Sequence, residues 1–91
     1  MTSRSVTVVN QLGMHARAAA KFVHLATRFD ARVRVAHDGR EMDGKSIMGL
    51  LLLAAARGST ITISGDGADE GEAVSALAAL VESGFGEDVC A

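Results

Sequence analysis

The 91-residue sequence contains no proline, tryptophan or tyrosine, and its three aromatic residues are all phenylalanine. So few rings leave no stacking platform of the kind that single-stranded nucleic-acid binders use. A formal net charge of −2 and a pI of about 5.8 argue the same way, because a nucleic-acid-binding domain is expected to be basic. The single cysteine, Cys90, excludes an intrachain disulfide framework. The longest apolar run, Leu50 to Ala56, has seven residues, against the ~18 that a membrane span needs. Met1 to Ser5 shows no apolar stretch followed by a cleavage site, so a secretory signal is not expected. There is no GxGxxG, HExxH or CxxC, and no metal or cofactor is expected. At 48% hydrophobic and 22% charged residues, the chain has the composition of one ordinary globular domain, expected in the reducing cytoplasm and off the membrane.

Glycines punctuate this chain. Val6-Thr7-Val8-Val9 is β-branched and predicts a strand, followed by a turn over Asn10 to Gly13. From His15 the period changes. Ala19, Phe22, Val23, Ala26 and Phe29 form one apolar helical stripe, and Arg17, Lys21, His24 and Arg28 form a cationic stripe opposite. Arg32-Val33-Arg34-Val35 alternates as a half-buried strand. Asp38-Gly39 signals a hairpin turn, with Arg40 to Met42 as the return strand. Ser46 to Ala56 predicts an apolar helix with Ser46 at its N-cap and Gly58 at its C-terminal stop. Thr60 to Ser64 alternates as a fourth strand, and Gly65 to Ala68 is a loop. Asp69 and Glu72 have capping-box spacing before a helix with an apolar face of Val74, Leu77, Ala78 and Val81, ended by Gly84. The order β-α-β-β-α-β-α predicts an α+β fold of two layers, one sheet face covered by helices and the other wetter.

His15 carries the most chemical information. It lies where the first turn meets the first helix. Helix N-termini expose backbone N–H groups and the positive end of the macrodipole, which makes them anion sites. Arg17 adds a forked guanidinium suited to phosphate. Together they suggest an imidazole nucleophile with an anion held against it. Spacing alone favours the plainer reading, a partly exposed polar residue at a helix start. His24 falls on the solvated cationic face, and His37 is a hairpin residue. Ser46 reads as a helix cap, and Leu50 to Ala56 as core. Ile47 and Met48 cannot both face inward along with the leucines after them, which leaves apolar surface for a partner. Cys90 lies in a polar tail and looks incidental.

Two runs carry a family resemblance. Asn10-Gln11-Leu12-Gly13-Met14-His15-Ala16-Arg17-Ala18-Ala19-Ala20 resembles the active-site motif of the HPr family, the histidine phosphocarriers of the bacterial phosphotransferase system. Gly44-Lys45-Ser46-Ile47-Met48-Gly49-Leu50 resembles that family's regulatory-serine segment. The ending from Val81 to Asp88 looks more like the nitrogen-related branch, NPr, than the sugar-transport branch. The resemblance covers essentially the whole chain and implies one phosphocarrier domain over residues 1–91. It implies an open-faced β-sandwich, a four-stranded antiparallel sheet with three helices on one face.

By this resemblance His15 would accept a phosphoryl group on Nδ1 from enzyme I and pass it to a IIA-type protein. Ala16 and Arg17 would surround the phosphate, Arg17 as its electrostatic partner. Ser46 would be the site of a dedicated serine kinase and phosphorylase. Ala20, Ile47, Met48 and Leu51 match the family's partner-docking surface. The domain would have no turnover alone and would work as a cytoplasmic monomer. One departure is Ala18, where the family usually has proline. Alanine restores an N–H and keeps helix propensity high, so a stability change of ~0.4–1 kcal/mol is expected rather than loss of function. A second reading is a regulatory interaction module. There phosphate on His15 or Ser46 is only a signal, and the output is binding through Ile47, Met48 and the cationic helix face.

Overall fold

Alternating segments pair into one four-stranded sheet in the computed structural model, which describes residues 1–86. The strands are β1 (Thr2–Thr7), β2 (Arg32–His37), β3 (Arg40–Asp43) and β4 (Thr60–Asp66). The helices are α1 (Ala16–Ala26), α2 (Ile47–Leu52) and α3 (Glu70–Glu82), and a short 3-10 turn at Gly84–Gly86 follows. The sheet order is β1-β4-β2-β3, with every neighbouring pair antiparallel. β1 and β3 are therefore the edges, and β4 and β2 the centre.

Period two decides which side chains go inside. Val33 and Val35 of β2 and Ile61 and Ile63 of β4 are buried, whereas Arg32 and Arg34 point to the other face. Phe22 from α1, Leu50 from α2 and Leu77 and Val81 from α3 complete the same core. Fully burying an aliphatic or aromatic side chain of this size contributes ~1.5–3 kcal/mol. The uncovered face is polar: the hydroxyls of Ser3 and Ser64 meet at 3.0 Å, and those of Ser5 and Thr62 at 3.1 Å. The expected open-faced sandwich, with three helices over one face, is what the chain forms.

Several boundaries differ from the periodicity. β1 covers Thr2–Thr7 rather than residues 6–9. Val8 follows the strand, its N–H donating to the Ser59 carbonyl at 2.8 Å and its own carbonyl accepting from Gly58. α1 ends at Ala26, so Phe29 lies beyond it. α2 stops at Leu52 instead of running to Ala56. The left-handed residue after it is Ala54, at φ 52°, not Gly58. β4 runs on through Gly65 to Asp66. Asp69 does precede α3, but its carboxylate makes no cap. It accepts instead from the N–H groups of Asp30 and Ala31, at 2.9 and 2.8 Å, and staples the start of α3 to the α1–β2 connection. The hairpin turn follows its signal, with Asp38 at φ 51° and Gly39 at φ 80°, the pair of positive values that a type I′ turn requires. Glu87 and Asp88, part of the branch-like ending, and Cys90 lie outside the described residues.

Candidate functional site: the starts of α1 and α2

His15 occupies the N-cap position of α1 in extended backbone, φ −83° and ψ 178°. Its carbonyl accepts the first helical bond, from Ala19 N–H at 2.8 Å. Its imidazole is half-buried and makes no capping bond to the helix. Ala16 and Arg17 are exposed in the first turn, which contains no acidic residue. The helix start thus presents a partial positive charge of ~0.5 at His15 and carries an exposed arginine two residues on, with no acid in its first turn.

The loop that delivers His15 is braced by backbone. Asn10, fully buried, donates from Nδ2 to the Gly13 carbonyl at 2.7 Å. Gly13 has φ 67°, and a Cβ there would lie 2.6 Å from the Ala55 carbonyl oxygen and 2.9 Å from Ala56 Cα. No other residue fits that position without displacing the α2–β4 connection. The next N–H, of Met14, donates to the same Ala55 carbonyl at 2.9 Å, and the Met14 side chain is buried. Sequence reading treats Asn10 and Gly13 as a turn and misses this brace. An asparagine three residues before a glycine is the signal that could have found it.

At the second start, Ser46 is the N-cap it was expected to be. Its hydroxyl oxygen accepts from Gly49 N–H at 3.0 Å. Asp43 holds the approach, accepting from Ser46 N–H on its carbonyl at 3.2 Å and from Lys45 N–H on its carboxylate at 2.9 Å. Lys45 Nζ donates to the Phe29 carbonyl at 2.8 Å. α1 packs directly against α2. Of the expected docking residues, Met48 is 67% exposed and Ile47 40%, while Leu51 is half-buried against the core and Ala20 half-buried on α1. Leu12, 70% exposed in the β1–α1 loop, adds apolar surface that a lone leucine between polar turn residues gave little reason to expect.

Other features do not make competing sites. Residues 39–46 spell GxxxxGKS, the pattern of a nucleotide phosphate loop. Here its middle is β3, hydrogen-bonded to β2, and its serine caps α2, so no loop remains to wrap a phosphate. A cavity of about 220 Å³ is lined by Met1, Arg32, Arg34, Glu41, Ser64, Gly65 and Asp66, none of them from the His15 loop or α2. His24 is exposed, as expected of the cationic stripe, and His37 sits in the hairpin. Among the described residues there is no cluster of metal ligands, and no helix is long and apolar enough to cross a membrane.

Residues 2–83 match the family model described as the PTS HPr component phosphorylation site. The chain belongs to the HPr family. It is 51% identical to the phosphocarrier protein HPr of Cupriavidus necator, over 96% of this chain and 98% of that one. It is 43% identical to the phosphocarrier protein NPr of Shewanella violacea, over 92% of each. A crystal structure of HPr from Thermoanaerobacter tengcongensis superposes with a TM-score of 0.92 at 40% identity, over 97% of this chain and 99% of that one. As an HPr-family protein it is a phosphoryl carrier of the phosphotransferase system, and enzymes of that system are the kind of partner it serves.

Proposed function

We propose that His15 is the residue that takes up and gives away the phosphoryl group. The supporting observation is a histidine at a helix N-cap whose helix starts with neither an acidic residue nor a side-chain cap, with Arg17 in its first turn. In this reading a ring nitrogen of His15 attacks phosphorus in line. The new N–P bond forms as the donor's bond to phosphorus breaks. Positioning and charge neutralisation carry most of the catalysis in such transfers. The α1 N–H groups and the Arg17 guanidinium face the phosphoryl oxygens, with Ala16 keeping the first turn open. The contacts must stay moderate, because the group has to leave again.

The donor is enzyme I, and the acceptor is a IIA-type protein of the sugar-transport or nitrogen-related kind. Both land on Ala20, Ile47, Met48 and Leu51, and the carrier works as a cytoplasmic monomer. Ser46 is the regulatory position: a kinase would place a dianion beside Ile47 and Met48, and a phosphorylase would remove it. A dianion at a helix N-terminus suits the helix but must be desolvated or repelled when a partner arrives.

The test uses phosphoenolpyruvate and enzyme I, with the acid-labile phosphate mapped by residue, followed by a chase with each IIA-type protein. Phosphate is expected on His15 alone, none on His15→Ala, and stoichiometric passage to an acceptor. Full labelling of His15→Ala would refute the assignment. Phosphate that stays on His15 through every chase would favour the interaction-module reading.

A further inference from the structure

We propose that His37 and Arg40 are positioning residues for the docking helix: from the β2–β3 hairpin they clamp its C-terminal end and fix the attitude of Ile47 and Met48 toward the partner. This inference rests on the docking role given above to α2.

α2 has six residues, Ile47–Leu52. Isolated helices shorter than ~12–15 residues are marginal in water, so its geometry must come from what holds it. The N-terminal end is tied to Asp43 and capped by Ser46. At the other end the last carbonyls of a helix have no partner within it. His37 Nδ1 lies 3.0 Å from the Leu53 carbonyl oxygen. A carbonyl only accepts, so Nδ1 carries the proton and donates. Arg40 donates from its guanidinium to the Leu52 carbonyl at 3.4 Å. The two donors flank the Asp38-Gly39 turn and are directly opposed in the ladder, His37 facing Arg40. Cationic and donor side chains at a helix C-terminus also complement its dipole.

The middle of the helix leans on the same hairpin. A Cβ on Gly49 would lie 3.4 Å from Met42 Cβ, ordinary contact distance, so α2 passes close over β3 at this point. β3 is an edge strand that pairs with β2 alone. The exposed apolar residues therefore ride on a helix whose far end is held by the hairpin. The clamp donors bond to Leu52 and Leu53, while the His15 loop is held by bonds of its own, Asn10 to Gly13 and Met14 to Ala55. The consequence belongs to docking, not to chemistry.

The experiment is steady-state transfer from phosphorylated enzyme I to the full chain, with KM and kcat separated, and amide exchange at Leu50 and Leu53 measured alongside. One lost hydrogen bond is worth about three- to tenfold in docking. His37→Ala should raise KM by that factor, leave kcat within twofold and speed exchange at the end of α2. His37→Asn, which offers a donor near the Nδ1 position, should recover most of the KM. Arg40→Ala, at an exposed position, should show a smaller rise of the same kind and serves if the His37 variant folds poorly. Met48→Asp is the control for the docking role itself. If Met48→Asp raises KM and the clamp variants do not, the clamp is overturned and the docking surface stands. A fall in kcat at constant KM also overturns it. If Met48→Asp leaves KM unchanged, the docking role fails, and the clamp falls with it.

Discussion

The starts of α1 and α3 meet the same electrostatic demand in opposite ways. α3 opens with Glu70 and Glu72 in its first turn, acids that answer the positive end of the dipole from within the chain. α1 opens with His15, Ala16 and Arg17 and has no acid in its first turn. One helix is complete by itself. The other begins without an acid in its first turn, and in the reading proposed above a doubly charged phosphoryl group brings negative charge to it. α2 stands between them, capped by a neutral hydroxyl that a kinase could turn into an anion. Position in the fold does not distinguish these starts; the residue types placed there do.

Removing the cation from the α1 start tests that contrast most severely. Arg17→Ala should slow transfer by ~10²–10³, the range found when one transition-state donor is removed. Its stability should stay within ~0.5 kcal/mol, because Arg17 is exposed. Transfer rate and melting temperature on the same sample check both halves.

The contrast can also be erased by giving α1 the acid that α3 has. Ala16→Glu should stabilise the fold by ~0.3–1 kcal/mol through the dipole. It should slow transfer at least about fivefold, since like charges ~4 Å apart repel by ~1–4 kcal/mol. A more stable variant with undiminished transfer would show that the phosphoryl group does not use the α1 start.

At the α2 start, Ser46→Asp should keep or raise the melting temperature while weakening enzyme I phosphorylation by a few-fold, on the order of the ~1 kcal/mol needed to bury a charge partly. Loss of stability here would contradict the cap. Undiminished transfer would remove the regulatory role.

The smallest effect belongs to α3. Glu70 is held at about 2, below its ordinary 4.5, first by the Thr2 hydroxyl at 2.6 Å, then by the Gly67 N–H and the N-terminal ammonium. A carboxylate depressed by folding contributes stability above its unfolded pKa and loses it as pH falls through the folded one. The melting temperature should therefore drop between about pH 4.5 and 2, and Glu70→Gln should flatten that part of the curve.

How much of this was legible depended on whether a residue's role is local. The Asp38-Gly39 turn was readable because its demand for positive φ falls on those two residues. Ser46 was readable because a cap bonds three residues away. Asp69 misled for the opposite reason: the same side chain can cap its own helix or reach across to Asp30 and Ala31, and the sequence does not record which N–H groups lie nearby. The run from Leu50 to Ala56 overextended α2 because apolar character alone reports neither helicity nor burial: Leu52, Ala54 and Ala56 are exposed. The chain leaves the helix so that the Ala55 carbonyl can meet Met14. β1 was displaced because its edge position lets Ser3, Arg4 and Ser5 stay exposed, which hides its period. At the candidate site, His15, Arg17 and Ser46 stood out by residue type. The brace beneath Gly13 did not, because Met14 meets a carbonyl that arrives some forty residues later, and Asn10, whose bond to Gly13 is local, reads as an ordinary turn residue.

That delay has a consequence for how the molecule is made. β1 pairs with β4, from Thr2 opposite Gly65 to Thr7 opposite Thr60, and α1, β2, β3 and α2 all lie between them in the chain. Pairings between such distant segments form slowly, because the intervening loop must close before they yield anything. During synthesis, at ~5–20 residues per second from the N-terminus, β1 emerges early and has no strand to join. His15 leaves the ribosome well ahead of Ala55 and β4, yet its loop cannot settle until both have followed. A ribosome stalled before residue 60 would carry His15 and Arg17 in full and their folded setting not at all.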